Sequence, residues 1–206
     1  MNLGRFMPNT CKGILIAIKQ ACILNMFLKQ RYIPILNLLA EGEKEILYGT
    51  ALFPGSNFYV ADVGAYRGYY TILSSKIVGP QGHVYSFEPE PNNFQILSKS
   101  VILNRLRNVT LFKLALSDKD VFENLYLSEY PSMHSTVIKR GIKVISVPCM
   151  RLDTLIKQRK IARLDLIKVD VEGAELKVLR GCEDLIKEFK PIFSIDVNHY
   201  ERARRS

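Results

Sequence analysis

A predicted strand, glycine turn and helix near residue 60 constrain the fold more than any other stretch of the sequence. The apolar run Phe58–Ala61 contains aromatic and β-branched residues and indicates a buried strand that ends at Asp62. Gly64 and Gly68 then bracket a tight turn, and a helix begins near Tyr69. Glycine tolerates positive φ and lets a ligand approach the backbone, while the first turn of the helix has N–H groups without helical partners. The segment therefore predicts a nucleotide-binding turn.

The spacing of the two glycines narrows the class of ligand. A dinucleotide site has the pattern G-x-G-x-x-G, whereas residues 62–68 read D-x-G-x-x-x-G. This pattern fits a nucleoside with a charged amino-acid tail better than a pyrophosphate. A second predicted strand, His83–Phe87, ends at Glu88, where an acidic residue would accept hydrogen bonds from a ribose diol.

Four motifs together resemble one known family. They are DVGAYRGYYT at 62–71, FEPEPNNF at 87–94, LALSD at 114–118 and IKVDVEGAE at 167–175. In this order and spacing they are similar to the FkbM-type S-adenosylmethionine-dependent methyltransferases, and the similarity runs over residues 58–199. The resemblance implies an α/β class I methyltransferase fold, Rossmann-like, with a mostly parallel sheet and helices on both faces. It also implies methyl transfer to a hydroxyl of a sugar, glycolipid or secondary metabolite. The chain departs from the family at Tyr66, where Asn is common, and at Asp196, where Glu is common.

The predicted cofactor site lies at one edge of the sheet. A third strand, Val109–Leu114, is predicted to close at residues 115–118, and parallel strands present their carboxyl ends to the same crevice. Ser117 or Asp118 would meet the adenine there, although SDKD is also plausible turn chemistry. The glycine turn is assigned to the methionine part of S-adenosylmethionine, and Glu88 to its ribose. The predicted cofactor-binding residues are Asp62, Gly64, Ala65, Gly68, Glu88, Pro89, Ser117 and Asp118.

The fourth predicted strand, Leu166–Gly173, carries the densest polar chemistry. One interpretation is that Lys168 and Asp170 neutralise one another within a buried strand. At its carboxyl end, however, Asp170 or Glu172 would face the methyl group and accept a proton from the acceptor. The fifth strand, Phe193–Val197, adds further candidates near its end. The pool of general bases, in which Asp170 ranks first, is Asp170, Glu172, Asp196, His134 and His199.

No metal is required by this chemistry. The histidine and carboxylate spacing of a dedicated metal site is absent. Asp170 and Glu172 are nevertheless close enough in sequence that binding of a divalent ion stays an alternative. His134 lies at the tip of a segment, residues 121–147, whose short alternating pieces predict an antiparallel insertion beside the acceptor pocket. Helices are predicted from Gly68 to Gly79, from Pro91 to Asn104 and from Ala174 to Phe189.

Residues 1–56 are predicted to be a helical extension, and residues 57–206 the methyltransferase domain. The apolar stretch Ile14–Leu28 is interrupted by Lys19 and is too short to span a bilayer, and no small-residue cleavage site follows it. It is interpreted as a helix that covers the domain, or as an interfacial helix on a membrane surface. A second helix is predicted over Glu41–Leu47.

Charge and cysteine content bear on partners and compartment. The formal net charge of +9 is compatible with a nucleic-acid or acidic-membrane partner, but the charges are scattered except in residues 202–205, so a solvated surface is favoured. Four cysteines without a CxxC pair favour free thiols in a reducing compartment. The prediction is a cytoplasmic protein, with peripheral membrane attachment as a further option, that acts on a small-molecule or glycan acceptor.

Two alternative functions stay open, a nucleic-acid methyltransferase and a cofactor-binding relative without catalysis. An enzyme that methylates nucleic-acid amino groups would resemble a family with Asn/Asp-Pro-Pro-aromatic after strand four, whereas this chain has VDVEGA at 169–174. Only seven residues follow His199, so a shortened C-terminus is expected. The edge strand near Ile192–Val197 should then be covered by the N-terminal helices, by the insertion or by a second copy of the chain in a homo-oligomer.

Overall fold

The computed structural model describes residues 54–128, 132, 134–138 and 143–196. Its elements, in chain order, are β1 (Tyr59–Val63), α1 (Tyr69–Val78), β2 (His83–Phe87), α2 (Pro91–Leu103), β3 (Val109–Phe112), β4 (Ala115–Leu116), β5 (Val121–Leu127), β6 (Lys143–Met150), α3 (Leu152–Lys157), β7 (Leu166–Val169), α4 (Glu175–Arg180), α5 (Glu183–Phe189) and β8 (Ile192–Ile195).

Within the described residues, five strands form a parallel sheet in the order β3-β2-β1-β7-β8. The chain builds outward from β1 through β2 to β3, and then returns to place β7 on the other side of β1. The strand order therefore reverses between β1 and β7, which is where parallel α/β sheets open a ligand crevice at their carboxyl ends. The predicted α/β class I architecture is confirmed.

Alternate residues of each central strand bury against helices on opposite faces of the sheet. Val60, Val84 and Leu166 pack with the apolar side of α1 on one face. Their neighbours on the same strands, such as Ala61 and Ile167, pack on the other face with residues of α3, α4 and α5. Because successive side chains of a strand point to opposite sides, both faces must be apolar, and the short apolar runs in the sequence meet that requirement.

The antiparallel insertion is also confirmed. β5 pairs antiparallel with β6 over seven residues of β5, and β4 pairs parallel with the end of β6, giving a separate three-stranded sheet. Leu125, Val147 and Cys149 form its small buried core. The predicted third strand is therefore wrong in extent: it ends at Phe112 in the main sheet, and residues 115–116 belong to the second sheet because they pair with β6.

Several helices and strands also differ from prediction. The single helix predicted over Ala174–Phe189 is two helices, interrupted at Gly181. Gly181 packs so closely on the backbone carbonyl of Ser117 that a Cβ there would collide with it. Helix α3 is absent from the predicted elements; its six residues, LDTLIK, form too short a stretch for their apolar spacing to identify a helix. The fourth and fifth strands are shorter than predicted, so Asp170 and Asp196 are the first residues beyond β7 and β8.

Other predictions lie outside the described residues. These are the two N-terminal helices and His199. No helix in the described ranges is both long and apolar enough to cross a bilayer.

Candidate functional site

A cleft opens at the carboxyl ends of β1, β2 and β7 and is walled on one side by the insertion. Six of the predicted site residues line it, namely Gly64, Glu88, Pro89, His134, Asp170 and Glu172. It is also lined by Val63, Tyr66, Phe87, Asn93, Leu114, Ala115, Leu116, Leu125, Ser132, Thr136, Val171 and Ala174. The cleft therefore coincides with the crevice that the strand order predicts.

Glu88 is held in the cleft by two backbone hydrogen bonds. It is buried; its Oε2 accepts a hydrogen bond from the backbone N–H of Tyr66 at 2.8 Å, and its Oε1 accepts one from the N–H of Glu90 at 2.9 Å. Burial raises the pKa of Glu88 to about 7, against the lowering effect of these two N–H donors. A carboxylate has room for about four hydrogen bonds. The group can therefore accept further bonds from a ligand without losing those that orient it.

The glycine turn is shaped by its packing on neighbouring elements. Gly64 has φ +77°, and a Cβ there would collide with the backbone carbonyl of Asp170. Gly68 has φ +94°, and a Cβ there would lie 2.6 Å from Cδ1 of Leu97 on α2. Tyr66 adopts φ 51°, a left-handed conformation in which Asn, Asp and His are the enriched non-glycine residues. That preference gives a physical reason for the asparagine that the resembling family commonly has at this position.

Asp62 lies beneath the turn, fully buried, and is not among the residues lining the cleft. Its Oδ2 accepts a hydrogen bond from Thr71 Oγ1 at 2.7 Å. Lys168 Nζ is 3.3 Å from Asp62 Oδ1, close enough for an ion pair although not aligned as a hydrogen bond. The same ammonium donates to the carbonyl oxygen of Gly64 at 3.2 Å. Asp62 and Lys168 thus fix the turn from below.

Lys168 is shared between two carboxylates. Its Nζ lies 3.6 Å from Asp170 Oδ2, farther than from Asp62. Burial lowers the pKa of Lys168, but Asp62 and Asp170 together outweigh it and the pKa is raised. The predicted pairing of Lys168 with Asp170 is therefore present, and the closer partner is Asp62 on the neighbouring strand, directly opposite Lys168 in the β1–β7 register.

Asp170 and Glu172 lie on the turn between β7 and α4. The Asp170 side chain is 23% exposed, so a carboxylate held beside a cation still reaches the cleft. Glu172 adopts φ 51° and Gly173 φ +100°, two successive left-handed residues. The Gly173 N–H donates to Glu175 Oε1 at 3.0 Å, which anchors the turn to the first residue of α4.

His134 enters the cleft from the insertion. Its Nδ1 accepts a hydrogen bond from the backbone N–H of Ser128 at 3.0 Å, so the neutral ring carries its proton on Nε2. Burial lowers the pKa of His134, with a smaller opposing effect from Glu90. In this arrangement the neutral imidazole can donate a hydrogen bond to a ligand but has no free nitrogen with which to accept a proton.

Other predicted site residues lie elsewhere. Ser117 and Asp118 are not among the cleft-lining residues, and the Ser117 hydroxyl donates to Glu123 Oε1 at 3.1 Å. Ala65, Gly68 and Asp196 also lie outside the lining, and the Ala65 N–H instead donates to the carbonyl oxygen of Phe87 at 3.0 Å.

The wall that sequence reasoning missed is apolar. Leu114, Ala115 and Leu116 line the cleft, together with Leu125 from β5. The first three belong to the LALSD motif, in which the sequence analysis assigned the polar residues Ser117 and Asp118, and not the apolar ones, to the adenine. Asn93 was also missed, although it lies within the quoted FEPEPNNF motif.

The cleft fits a nucleoside with an amino-acid tail. The buried Glu88 carboxylate has unused acceptor capacity where a ribose would lie, and the apolar wall offers a surface for a flat base. The lack of a Cβ at Gly64 lets the backbone at Asp170 approach the glycine turn closely, because the Asp170 carbonyl oxygen occupies the position a Cβ would take. Among the described residues there is no group of three or more His, Cys, Asp or Glu side chains that could hold a metal ion.

Comparison with known proteins agrees with this geometry. The model of the methyltransferase FkbM domain matches residues 62–205. Methyltransferase 1 of Beauveria bassiana is 30% identical over 160 residues, covering 66% of this chain and 63% of that protein. The 31-O-demethyl-FK506 methyltransferase FkbM of Streptomyces tacrolimicus is 28% identical over 167 residues, with the same coverage.

A solved structure supports the fold. The crystal structure of methyltransferase FkbM from Methylobacillus flagellatus aligns with a TM-score of 0.53 and 17% identity, over 83% of this chain and 49% of that one.

The chain spans about 63% of the length of the two curated relatives. Because the family model covers more than half of the sequence, the chain belongs to the FkbM methyltransferase domain family, whose cofactor is S-adenosylmethionine.

Proposed function

We propose that the protein transfers a methyl group from S-adenosylmethionine to a hydroxyl of a sugar, glycolipid or secondary metabolite. One observation carries the proposal: a buried carboxylate, Glu88, directly follows β2, lines the cleft and is oriented there by two backbone N–H groups. The name of the Streptomyces relative describes methylation of 31-O-demethyl-FK506, and this supports a hydroxyl acceptor.

Each part of the cleft has a role in holding the cofactor. Glu88 accepts hydrogen bonds from the ribose hydroxyls, and Leu114 and Leu116 flank the adenine. The turn at Gly64 receives the amino-acid part, and Lys168 beneath it keeps the turn rigid through Asp62 and the Gly64 carbonyl oxygen. When bound, the cofactor supplies an electrophilic methyl group.

The remaining chemistry is to orient the acceptor hydroxyl and to take its proton. Asp170 is the preferred proton acceptor, because its carboxylate is partly exposed in the cleft and lies at the β1–β7 junction. His134 donates through Nε2–H and suits hydrogen bonding to an acceptor oxygen. Glu172 lines the same side, whereas Asp196 and His199 remain candidates from the sequence.

The experiment combines cofactor binding with acceptor screening. Isothermal titration calorimetry with S-adenosylmethionine and S-adenosylhomocysteine measures binding, and methyl transfer from labelled cofactor is then assayed on glycolipid, sugar and RNA extracts. We expect binding of both ligands and label in the sugar or lipid fraction. Label confined to RNA would refute the hydroxyl-acceptor proposal. Binding without any transfer would refute catalysis and leave a cofactor-binding protein.

A further inference from the structure

Ser135 joins the insertion to the turn that carries the cleft carboxylates. Its hydroxyl donates to the backbone carbonyl oxygen of Glu172 at 2.6 Å. The Ser135 hydroxyl oxygen in turn accepts hydrogen bonds from the N–H groups of Val137 at 3.1 Å and Ile138 at 2.9 Å. A serine hydroxyl has one donor and two acceptor sites, so all of its capacity is used between two segments 37 residues apart.

Two further contacts hold the same segments together. The backbone of Ser135 forms a two-way bridge with Tyr126 of β5, with N–O distances of 2.8 and 3.2 Å. On the other side, Ile138 packs so closely on Gly173 that a Cβ there would lie 3.3 Å from its Cδ1 and Cγ1. Residues 134–138 are therefore tied both to the insertion and to the β7–α4 turn.

The turn held in this way has an unusual backbone. Glu172 is a non-glycine residue at φ 51°, a conformation that costs free energy and persists only where the surroundings fix it. Its carbonyl oxygen is the group that Ser135 binds. Asp170 and Glu172 line the cleft on the turn side, and His134, next to Ser135, lines it on the insertion side.

We propose that Ser135 is a positioning residue that fixes the turn bearing Asp170 and Glu172 against the insertion. It thereby sets the distance across the cleft between the carboxylate that takes the proton and the insertion that lines the opposite side. This inference rests on the proposed methyl transfer for its catalytic consequence, but the clamp itself can be tested without turnover. Ser135 does not line the cleft and acts through the residues on either side of it. Small misplacements of reacting groups are known to cost large factors in rate.

The test compares Ser135→Ala with Ser98→Ala. Ser98 of α2 is a matched control because its partly buried hydroxyl also donates to a backbone carbonyl, that of Phe94 at 2.8 Å, and Ser98 is not among the residues that line the cleft. Hydrogen exchange is measured residue by residue in the cofactor-free protein. We expect Ser135→Ala to speed exchange at residues 137–138 and also at 171–174, and Ser98→Ala to change neither. Faster exchange at 137–138 alone would show that the turn does not depend on Ser135 and would overturn the proposal.

Kinetics provide the second measurement. We expect Ser135→Ala to keep the Kd of S-adenosylmethionine within about twofold and to lower kcat on the order of tenfold or more. A Kd weakened as much as kcat would reduce Ser135 to a general structural role. If Ser135→Ala does not fold, Ser135→Cys keeps the connectivity of the side chain, with a larger atom that is only a weak donor and acceptor, and the same two outcomes apply. If the wild-type protein transfers no methyl group to any acceptor, the proposed function fails, and the exchange experiment still decides the clamp.

Discussion

Glu88→Ala should weaken cofactor binding mainly at high pH and should lower folding stability mainly at low pH. The carboxyl is buried, faces the negative charges of Glu90 and Asp62, and has a pKa of about 7 against an ordinary value of 4.5. At 1.36 kcal/mol per pKa unit, its ionisation costs the folded state on the order of 3 kcal/mol above pH 7. The native state therefore binds more protons than the unfolded state between pH 4.5 and 7, and this contribution makes stability fall as pH rises through that window.

Cofactor binding should follow the opposite trend. Hydrogen bonds from ribose hydroxyls are stronger to the ionised carboxylate than to the neutral acid, so affinity for S-adenosylmethionine should rise as pH increases through about 7. Glu88→Ala should weaken binding by about 1.5–3 kcal/mol at pH 8, the range for hydrogen bonds to a charged group. It should also remove the pH dependence of affinity in this range.

The stability of Glu88→Ala combines two effects. Loss of the acceptor for the N–H groups of Tyr66 and Glu90 costs about 1 kcal/mol each, and relief of the buried charge offsets this above pH 7. The variant should therefore be close to wild type at pH 8 and clearly less stable at pH 5. Calorimetric titration at pH 6 and 8, with urea unfolding at pH 5 and 8, measures both trends. An affinity for the cofactor that is the same in wild type and variant would refute the assignment of Glu88 to the ribose.

Three other predictions concern separate parts of the structure. Asp170→Asn should keep the Kd of the cofactor and lower kcat on the order of 10²-fold, measured once an acceptor is known; normal turnover in this variant would remove Asp170 as the base. Gly64→Ala should prevent correct folding, because Gly64 has a positive φ and an added Cβ would collide with the Asp170 carbonyl. A thermal melt followed by circular dichroism tests this, and a Tm equal to that of the wild type would contradict it. Asp153→Ala should lower the free energy of unfolding by about 2–4 kcal/mol. The buried carboxylate accepts a hydrogen bond from the N–H of Leu185 at 3.0 Å and forms an ion pair with Arg151 at 2.8 Å. An unchanged midpoint of urea unfolding would show that water takes the place of the carboxylate in these contacts.

Local sequence determined the parts of the fold that depend on neighbouring residues. The apolar run before Asp62 and the glycines after it predict β1, the turn and α1, because strand propensity and positive φ are properties of a few consecutive residues. The alternating pieces of residues 121–147 likewise predicted the antiparallel insertion. The order of strand ends then placed Glu88 and Asp170 at one edge, since parallel strands share the direction of their carboxyl ends.

Tertiary structure decided which side chains meet. The ion pair of Lys168 with Asp62 depends on β7 lying beside β1 in register, and no local pattern gives that register. The cleft wall at Leu114–Leu116 depends on β4 leaving the main sheet to pair with β6, so that Ser117 points to Glu123 instead. The Ser135 clamp likewise joins segments that are distant in sequence. The sequence by itself therefore determined the elements and the edge at which the site lies, whereas the pairing of strands determined which residues line it, because hydrogen-bond register and packing are properties of two segments together.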